Sequence, residues 1–267
     1  MIHATAVIHP KAQLHPTVRV GPYAVIDADV VVGAECEIGP HAYLTGITHI
    51  GPRNRFYAGA VIGEAPQDLK YKGEPTALRI GSDNIFREYV TVHRSATPGA
   101  ATTIGDDNLL MAHSHVGHNS VVGDSVILAN GALLGGHVVI EDRAIISGNC
   151  LLHQFVRVGS LAMMQGGSGI SKDLPPFTIA RGENGMCGLN IIGLRRAGFT
   201  PEQRLDLKRL YHFLFRSGKK LRAAVDEARS LFPGEPCRRL IEFVSATTRG
   251  ICRDTSLRGE ITDPAID

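Results

Sequence analysis

Counting in steps of six from Ile2 to Ile170 visits 29 positions, and 26 of them carry Ile, Val, Leu, Phe or Met. The exceptions are Asp68, Glu74 and Pro98. Two places after each aliphatic residue stand turn formers and polar groups, as in VGPYAV, IGPHAY, IGPRNR and IGSDNI. Four places after it stands a small residue such as Ala24, Ala42, Ala60, Ala132 or Ala162. A helix needs apolar residues three or four apart and a lone strand needs alternation, so neither yields a period of six. A stacked β-solenoid does, because each short strand turns a corner and sends one aliphatic side chain inward per side. The exceptions mark two excursions, residues 67–78 and 97–102, which should loop outward, where functional groups tend to sit.

The period ends after Asp173-Leu174-Pro175-Pro176. Thr200, Pro201 and Gln203 then read as N-cap, first helical residue and capping-box partner of a helix reaching about Arg216, closed near Gly218. A second helix is predicted over residues 219–231, with Leu221, Ala224, Val225 and Ala228 on one face. A third begins around Pro236, with Leu240, Ile241 and Val244, and the chain from about Asp254 reads as a frayed end. The organisation is therefore mainly β, a parallel β-helix over residues 1–188 followed by an α-helical domain over 189–267.

With no Trp and 30 Gly, the chain lacks the bulky side chains of a broad globular core, which suits a thin repetitive fold. A net charge of +2 argues against nucleic acid as a partner. The charge is uneven: from Arg195 onward 15 Lys and Arg face 10 Asp and Glu, so the C-terminal quarter is suited to meeting something acidic. The five cysteines form no CxxC pair, and Cys36 and Cys150 occupy the small-residue slot of the repeat, which predicts burial. Neither a secretory leader nor a run of membrane-spanning length is legible, so a cytoplasmic protein is expected.

Histidines cluster in Met111-Ala112-His113-Ser114-His115-Val116-Gly117-His118-Asn119, with His137 and His153 further on. Three readings compete: turn residues on a solvated face, metal ligands, and a general base. At 18 residues per coil Gly136 lies one coil above His118, about 4.8 Å away. A histidine beneath Gly135-Gly136-His137 sets a base beside an accessible backbone N–H, the pair that acyl transfer requires.

The hexapeptide pattern resembles the left-handed parallel β-helix of the hexapeptide-repeat acyltransferases, and the left-handedness rests on that resemblance alone. Strings spread along the chain are more specific. QDLKYKGEPT (67–76), TVHR (91–94), DNLLM…HVGHN (107–119), ILANGALLGGHV (127–138), HQFVRVG (153–159), PPFTIARG (175–182) and GLNIIGLRRAGF (188–199) resemble the UDP-N-acetylglucosamine O-acyltransferase family. The resemblance implies transfer of a 3-hydroxyacyl group from acyl carrier protein to the 3-position of UDP-N-acetylglucosamine, the opening step of lipid A biosynthesis. It implies a homotrimer with sites in the inter-subunit clefts and no metal or organic cofactor.

By the same resemblance His118 is the general base and Gly136 the oxyanion donor. His115 lies near the acyl chain and sugar, while His137 and His153 line the cleft. Lys70 and Arg196 hold the diphosphate, with Gln67 and Asn190 in support, and Gly166 sets acyl length. The basic helical residues Lys208, Arg209, Arg216, Lys219, Lys220 and Arg222 would face the carrier protein. Read without the family, Lys70 is a solvated loop lysine, Arg195 and Arg196 are a helix-leading basic pair, and Gly166-Gly167 is a corner needing positive φ.

Two positions depart from the family pattern. Asn119 stands where many members have Asp, and Ile192 where some have Glu. These leave open an acceptor with a 3-amino group. Other readings are a trimeric zinc hydratase using His113 and His118, the later N-acyltransferase of the same pathway, whose additional N-terminal domain has no counterpart before Ile2, and a scaffold without activity.

Overall fold

The computed structural model describes residues 1–255, and within them short strands build three flat sheets of nine, eight and eleven strands. Consecutive strands never pair with each other along the repeats; each pairs, in parallel, with the strand one full coil away. The register is 18 residues over most of the molecule, as in Val7↔Val25 and Val121↔Val139. It widens to 30 at Val61↔Thr91 and to 24 at Thr91↔His115. The excess over 18 is 12 and then 6, so both excursions insert whole hexads and return the chain to the same side of the coil. The loops run over residues 65–76 and 94–100, slightly earlier than expected. Ala77-Leu78 and Ala101-Thr102 already belong to the strands Ala77–Ile80 and Ala101–Ile104, whose ladder pairing outweighs their off-phase sequence.

The coil interior is filled as the hexads require. Ile26, Leu44, Ile62, Leu110, Leu134 and Ile146 are buried, and the small residues four places on, including Ala24, Cys36, Ala132 and Cys150, fill the corners. Most corners also hold a residue in the left-handed region: among the described residues 17 non-glycine residues have positive φ, including Asn119, His137 and Phe155. That conformation costs roughly 1–2 kcal/mol per residue. It is held because the corner N–H donates to the coil beneath, as His137 does to the His118 carbonyl (2.8 Å) and Arg143 to that of Asp124 (2.8 Å). Rings on these corner residues stack, Tyr89 on His113 and His137 on Phe155, with centroids 5.3 and 4.4 Å apart.

One corner column is polar inside. Asn54, Asn84 and Asn108 are buried, and each amide bonds the next: Asn84 Nδ2 donates to Asn54 Oδ1 (2.9 Å), and Asn108 N and Nδ2 donate to Asn84 Oδ1 (2.9 and 2.8 Å).

Beyond Ile170 the strand Thr178–Arg181 adds to the third sheet, and Gly185–Leu189 turns back antiparallel to it. Four helices follow: α1 (Ile191–Arg196), α2 (Pro201–Arg216), α3 (Leu221–Leu231) and α4 (Glu235–Ser245). Thr200 and Gln203 close a reciprocal capping box on α2. Helix α1 corrects the sequence reading of Arg195 and Arg196, which form its last turn and do not lead a helix. Gly193 inside so short a segment hides the helical pattern. Arg253–Asp254 pairs with Gly185–Met186 as a strand, against the expected fraying from Asp254; the rest of that expectation lies outside the described residues. Among the described residues no helix is long and apolar enough to cross a membrane.

Replacing Asn84 with Ala strands the Asn108 N–H and amide donors inside the coil. We expect a loss of about 2–5 kcal/mol in unfolding free energy, measured by chaotrope titration, because each buried unsatisfied group costs about 1–3 kcal/mol.

Candidate active site

One outer face of the β-helix carries His115, Leu133, Leu151 and Gly169 stacked in exact coil-to-coil register. Above it opens a groove of about 600 Å³. Its lower end is formed by His93, His115, His118 and Gly136, its wall by Leu133 and Leu151, and its upper end by polar groups including His153 and Glu183. Leu133 and Leu151 are 41% and 54% exposed in the single chain, an apolar surface that a hydrocarbon or another subunit would cover.

His118 and Gly136 meet as coil arithmetic requires. A Cβ on Gly136 would lie 2.6 Å from His118 Nε2, so only glycine leaves room for the imidazole. The Gly136 N–H has no acceptor among the described residues.

The tautomer of His118 follows from its neighbour. Asn119 Oδ1 accepts the Ala96 N–H (2.9 Å), and Asn119 Nδ2 donates to Ser95 Oγ (2.7 Å). The amide orientation is thereby fixed, and Oδ1, 2.9 Å from His118 Nδ1, can only accept. His118 therefore carries a proton on Nδ1, so that in the neutral ring the lone pair lies on Nε2, the nitrogen that faces Gly136. The loop 94–100 supplies this lock, and the Asn119 N–H ties it to Thr102 Oγ1 (2.8 Å).

The surrounding imidazoles are neutral. Burial pushes His115 down to about 4, with a smaller push from the neighbouring His93 and His118, and its Nδ1 lies 2.7 Å from Thr91 Oγ1. Burial also lowers His93 and His137. His137 stands edge-on to His118 with centroids 5.2 Å apart, behind the base and not on the groove wall. His93 meets His115 edge-on at 4.9 Å, and its Nδ1 is buried with no hydrogen-bond partner among the described residues. The sequence reading gave His93 no role in the groove; the 24-residue register that brings its strand beside that of His115 was the missing signal.

Within one chain, then, His118, Gly136, His115, His153 and Gln67 converge on the groove. Lys70 is exposed on the loop 65–76, Arg196 is exposed at the end of α1, and Gly166 lies at another corner; none of the three lines the groove. Asn190 is corrected in kind: it is buried, its Oδ1 accepts the Gly193 N–H to cap α1 (2.9 Å) and its Nδ2 donates to the Leu161 carbonyl (2.9 Å). Gly167 has positive φ (+71°) whereas Gly166 does not, and a Cβ on Gly166 would make only ordinary contact, 3.5 Å from the Gly148 carbonyl. The corner reading therefore applies to Gly167 alone. His113 stacks on Tyr89 away from His118, and among the described residues no three His, Cys, Asp or Glu side chains are grouped to hold a metal.

Comparison with known proteins agrees with this geometry. Residues 173–252 match the family described as Udp N-acetylglucosamine O-acyltransferase, domain 2, and residues 11–46 and 101–136 match the bacterial transferase hexapeptide repeats. The chain is 50% identical over 183 residues to the acyl-[acyl-carrier-protein]–UDP-N-acetylglucosamine O-acyltransferase of Synechocystis sp., covering 68% of this chain and 66% of that one. It is 45% identical over 216 residues to the enzyme of that name from Thermodesulfovibrio yellowstonii, covering 80% and 84%. The crystal structure of Francisella novicida UDP-N-acetylglucosamine acyltransferase superposes with a TM-score of 0.92 at 34% identity, over 100% of this chain and 99% of that one. The fold is thus the left-handed parallel β-helix with a helical C-terminal domain. Identity over most of the length and overlap of the whole fold coincide with the histidine–glycine pair, and the chain belongs to the UDP-N-acetylglucosamine O-acyltransferase family.

Proposed function

We propose that this acyltransferase moves a 3-hydroxyacyl group from acyl carrier protein to the 3-hydroxyl of UDP-N-acetylglucosamine, the first step of lipid A biosynthesis, with His118 as general base. The observation that carries the assignment of the base is His118 Nε2 held against Gly136, with Nδ1 bonded to Asn119, at the foot of an apolar-walled groove. Nε2 accepts the sugar hydroxyl proton as its oxygen attacks the thioester carbonyl. The oxyanion of the tetrahedral intermediate takes the Gly136 N–H. Collapse expels the carrier thiolate, which receives the proton from His118, so the base is restored and the ester is formed. The donor is a thioester and already activated, so these steps call on no metal or organic cofactor.

Further assignments follow. The site is completed in a homotrimer: Lys70, Arg196 and Gly166 lie off the groove of their own chain, and Leu133, Leu151 and Phe155 are exposed beside it. Lys70 and Arg196 clamp the diphosphate, with Gln67 beside them, while Asn190 acts by holding α1 in place. His115 and His153 border the acyl and sugar groups, and His137 backs the base. The helical domain faces the acidic carrier protein, chiefly through the exposed Lys208, Lys220 and Arg222, since Arg209, Arg216 and Lys219 form ion pairs with Asp206, Asp254 and Glu227. Five unpaired cysteines fit the reducing cytoplasm.

His118→Ala should leave the fold intact and lower turnover by about 10²–10⁴ in a carrier-protein-dependent assay with the 3-hydroxy and 3-amino sugars in parallel. Retention of more than a tenth of wild-type turnover removes His118 as the base, and a preference for the amino sugar reassigns the acceptor.

Gly166→Met should fold, because its Cβ meets only ordinary contact. Across a series of donor lengths it should shift the preference toward shorter chains, each methylene admitted contributing about 0.8 kcal/mol until the end wall is met. An unchanged length profile removes Gly166 as the ruler.

A further inference from the structure

His153 lies at the upper end of the groove, and two groups compete for its Nδ1. The Gln154 carbonyl stands 3.2 Å away and would accept a proton carried there. Arg249 Nη2 stands 3.3 Å away, 96 residues distant in sequence, and a guanidinium can only donate. Arg249 is not on the groove wall; it stands behind the histidine. It is also pinned. Its Nε donates to the Ser171 carbonyl (3.0 Å), and the segment around it is stitched to Asp173: Thr247 Oγ1 donates to Asp173 Oδ2 (2.8 Å), the Asp173 N–H to the Gly250 carbonyl (2.9 Å), and the Cys252 N–H to the Asp173 carbonyl (3.0 Å).

A hydrogen bond from a charged donor is roughly twice as strong as one between neutral groups, so the guanidinium prevails over the carbonyl. We propose that Arg249 is a positioning residue that holds His153 in the tautomer protonated on Nε2, so that the groove meets an N–H donor there. Arg249 itself touches no substrate. His118 and His153 are then set in opposite senses. His118, locked by Asn119, offers a lone pair at the sugar hydroxyl; His153, locked by Arg249, offers a proton to an oxygen of the bound substrates. The segment after α4 thereby gains a function in the site, since it determines which way a histidine on the β-helix faces its ligand. The catalytic consequence rests on reading the groove as the acyl-transfer site; the tautomer does not.

The test uses the full chain labelled with ¹⁵N-histidine, with His153 assigned by comparison with His153→Ala. At about pH 8, above the ordinary imidazole range, long-range ¹H–¹⁵N spectra should show wild-type His153 protonated on Nε2. In Arg249→Met the proton should move to Nδ1 and bond the Gln154 carbonyl, while Arg249→Lys keeps the wild-type pattern. A wild-type proton on Nδ1, or no change in Arg249→Met, overturns the proposal. In kinetics Arg249→Met should lower kcat/KM by about tenfold, the scale of one hydrogen bond to a charged group. The loss should vanish when His153 is already Ala. Losses that add in the double variant overturn the positioning role. Because the tautomer is read without substrate, a failure there is distinguishable from a failure of the acyl-transfer reading, which would show as absent turnover with the tautomer intact.

Discussion

The parallel hydrogen-bond ladder between successive coils places the histidine–glycine pair and the apolar wall of the groove. Each coil must complete three corners in the same number of residues, and most corners hold a left-handed residue whose N–H bonds the coil beneath. Because 18 residues return the chain to the same place, His118 is set beneath Gly136, and His115 beneath Leu133 and Leu151. The constraint also governs insertions. A loop may leave the ladder only if it brings the chain back in phase, and the two that do so add 12 and 6 residues. The corner strain, repeated along the molecule, is tolerated because the ladder leaves few alternatives to it.

What the ladder fixes is backbone position; what makes the site chemical is the side-chain contact across the loops. The shorter loop brings Ser95, Ala96 and Thr97 to Asn119, and that contact orients the base. A neutral amide suffices for the orientation, because its oxygen accepts from Nδ1 as a carboxylate oxygen would. The chain therefore has an oriented base without a second charge beside it. Burial keeps the adjoining histidines neutral, so the foot of the groove is a cluster of uncharged imidazoles beside apolar walls. Such a place suits a hydrophobic thioester and a developing oxyanion.

Much of this was legible from residues alone. The period of six gives the coil, the breaks at Asp68, Glu74 and Pro98 give the loops to within three residues, and the 18-residue count pairs His118 with Gly136. The capping residues of α2 were equally plain. Hidden contacts were those whose partners are distant or whose register is altered by an insertion. His93 reaches His115 only through the 24-residue register. Arg249 reaches His153 across 96 residues with no periodic relation. Asn190 was expected as a ligand contact only through the family resemblance, and its capping of α1 stayed hidden because that helix is too short and too glycine-bearing to be read. The buried asparagine column was masked because Asn54, Asn84 and Asn108 sit in slots where the repeat otherwise holds small apolar residues.

The central claim is that a free imidazole nitrogen and the Gly136 backbone share one space, and that this space is where acyl transfer occurs. Gly136→Ala tests it most directly. Gly136 has no left-handed backbone requirement, so alanine is barred only by the His118 ring, 2.6 Å from the added carbon. The account predicts a variant that keeps its thermal unfolding profile while kcat/KM falls by at least about a hundredfold, the cost of displacing a base by about 1 Å. A folded Gly136→Ala enzyme with turnover near that of the wild type would contradict it.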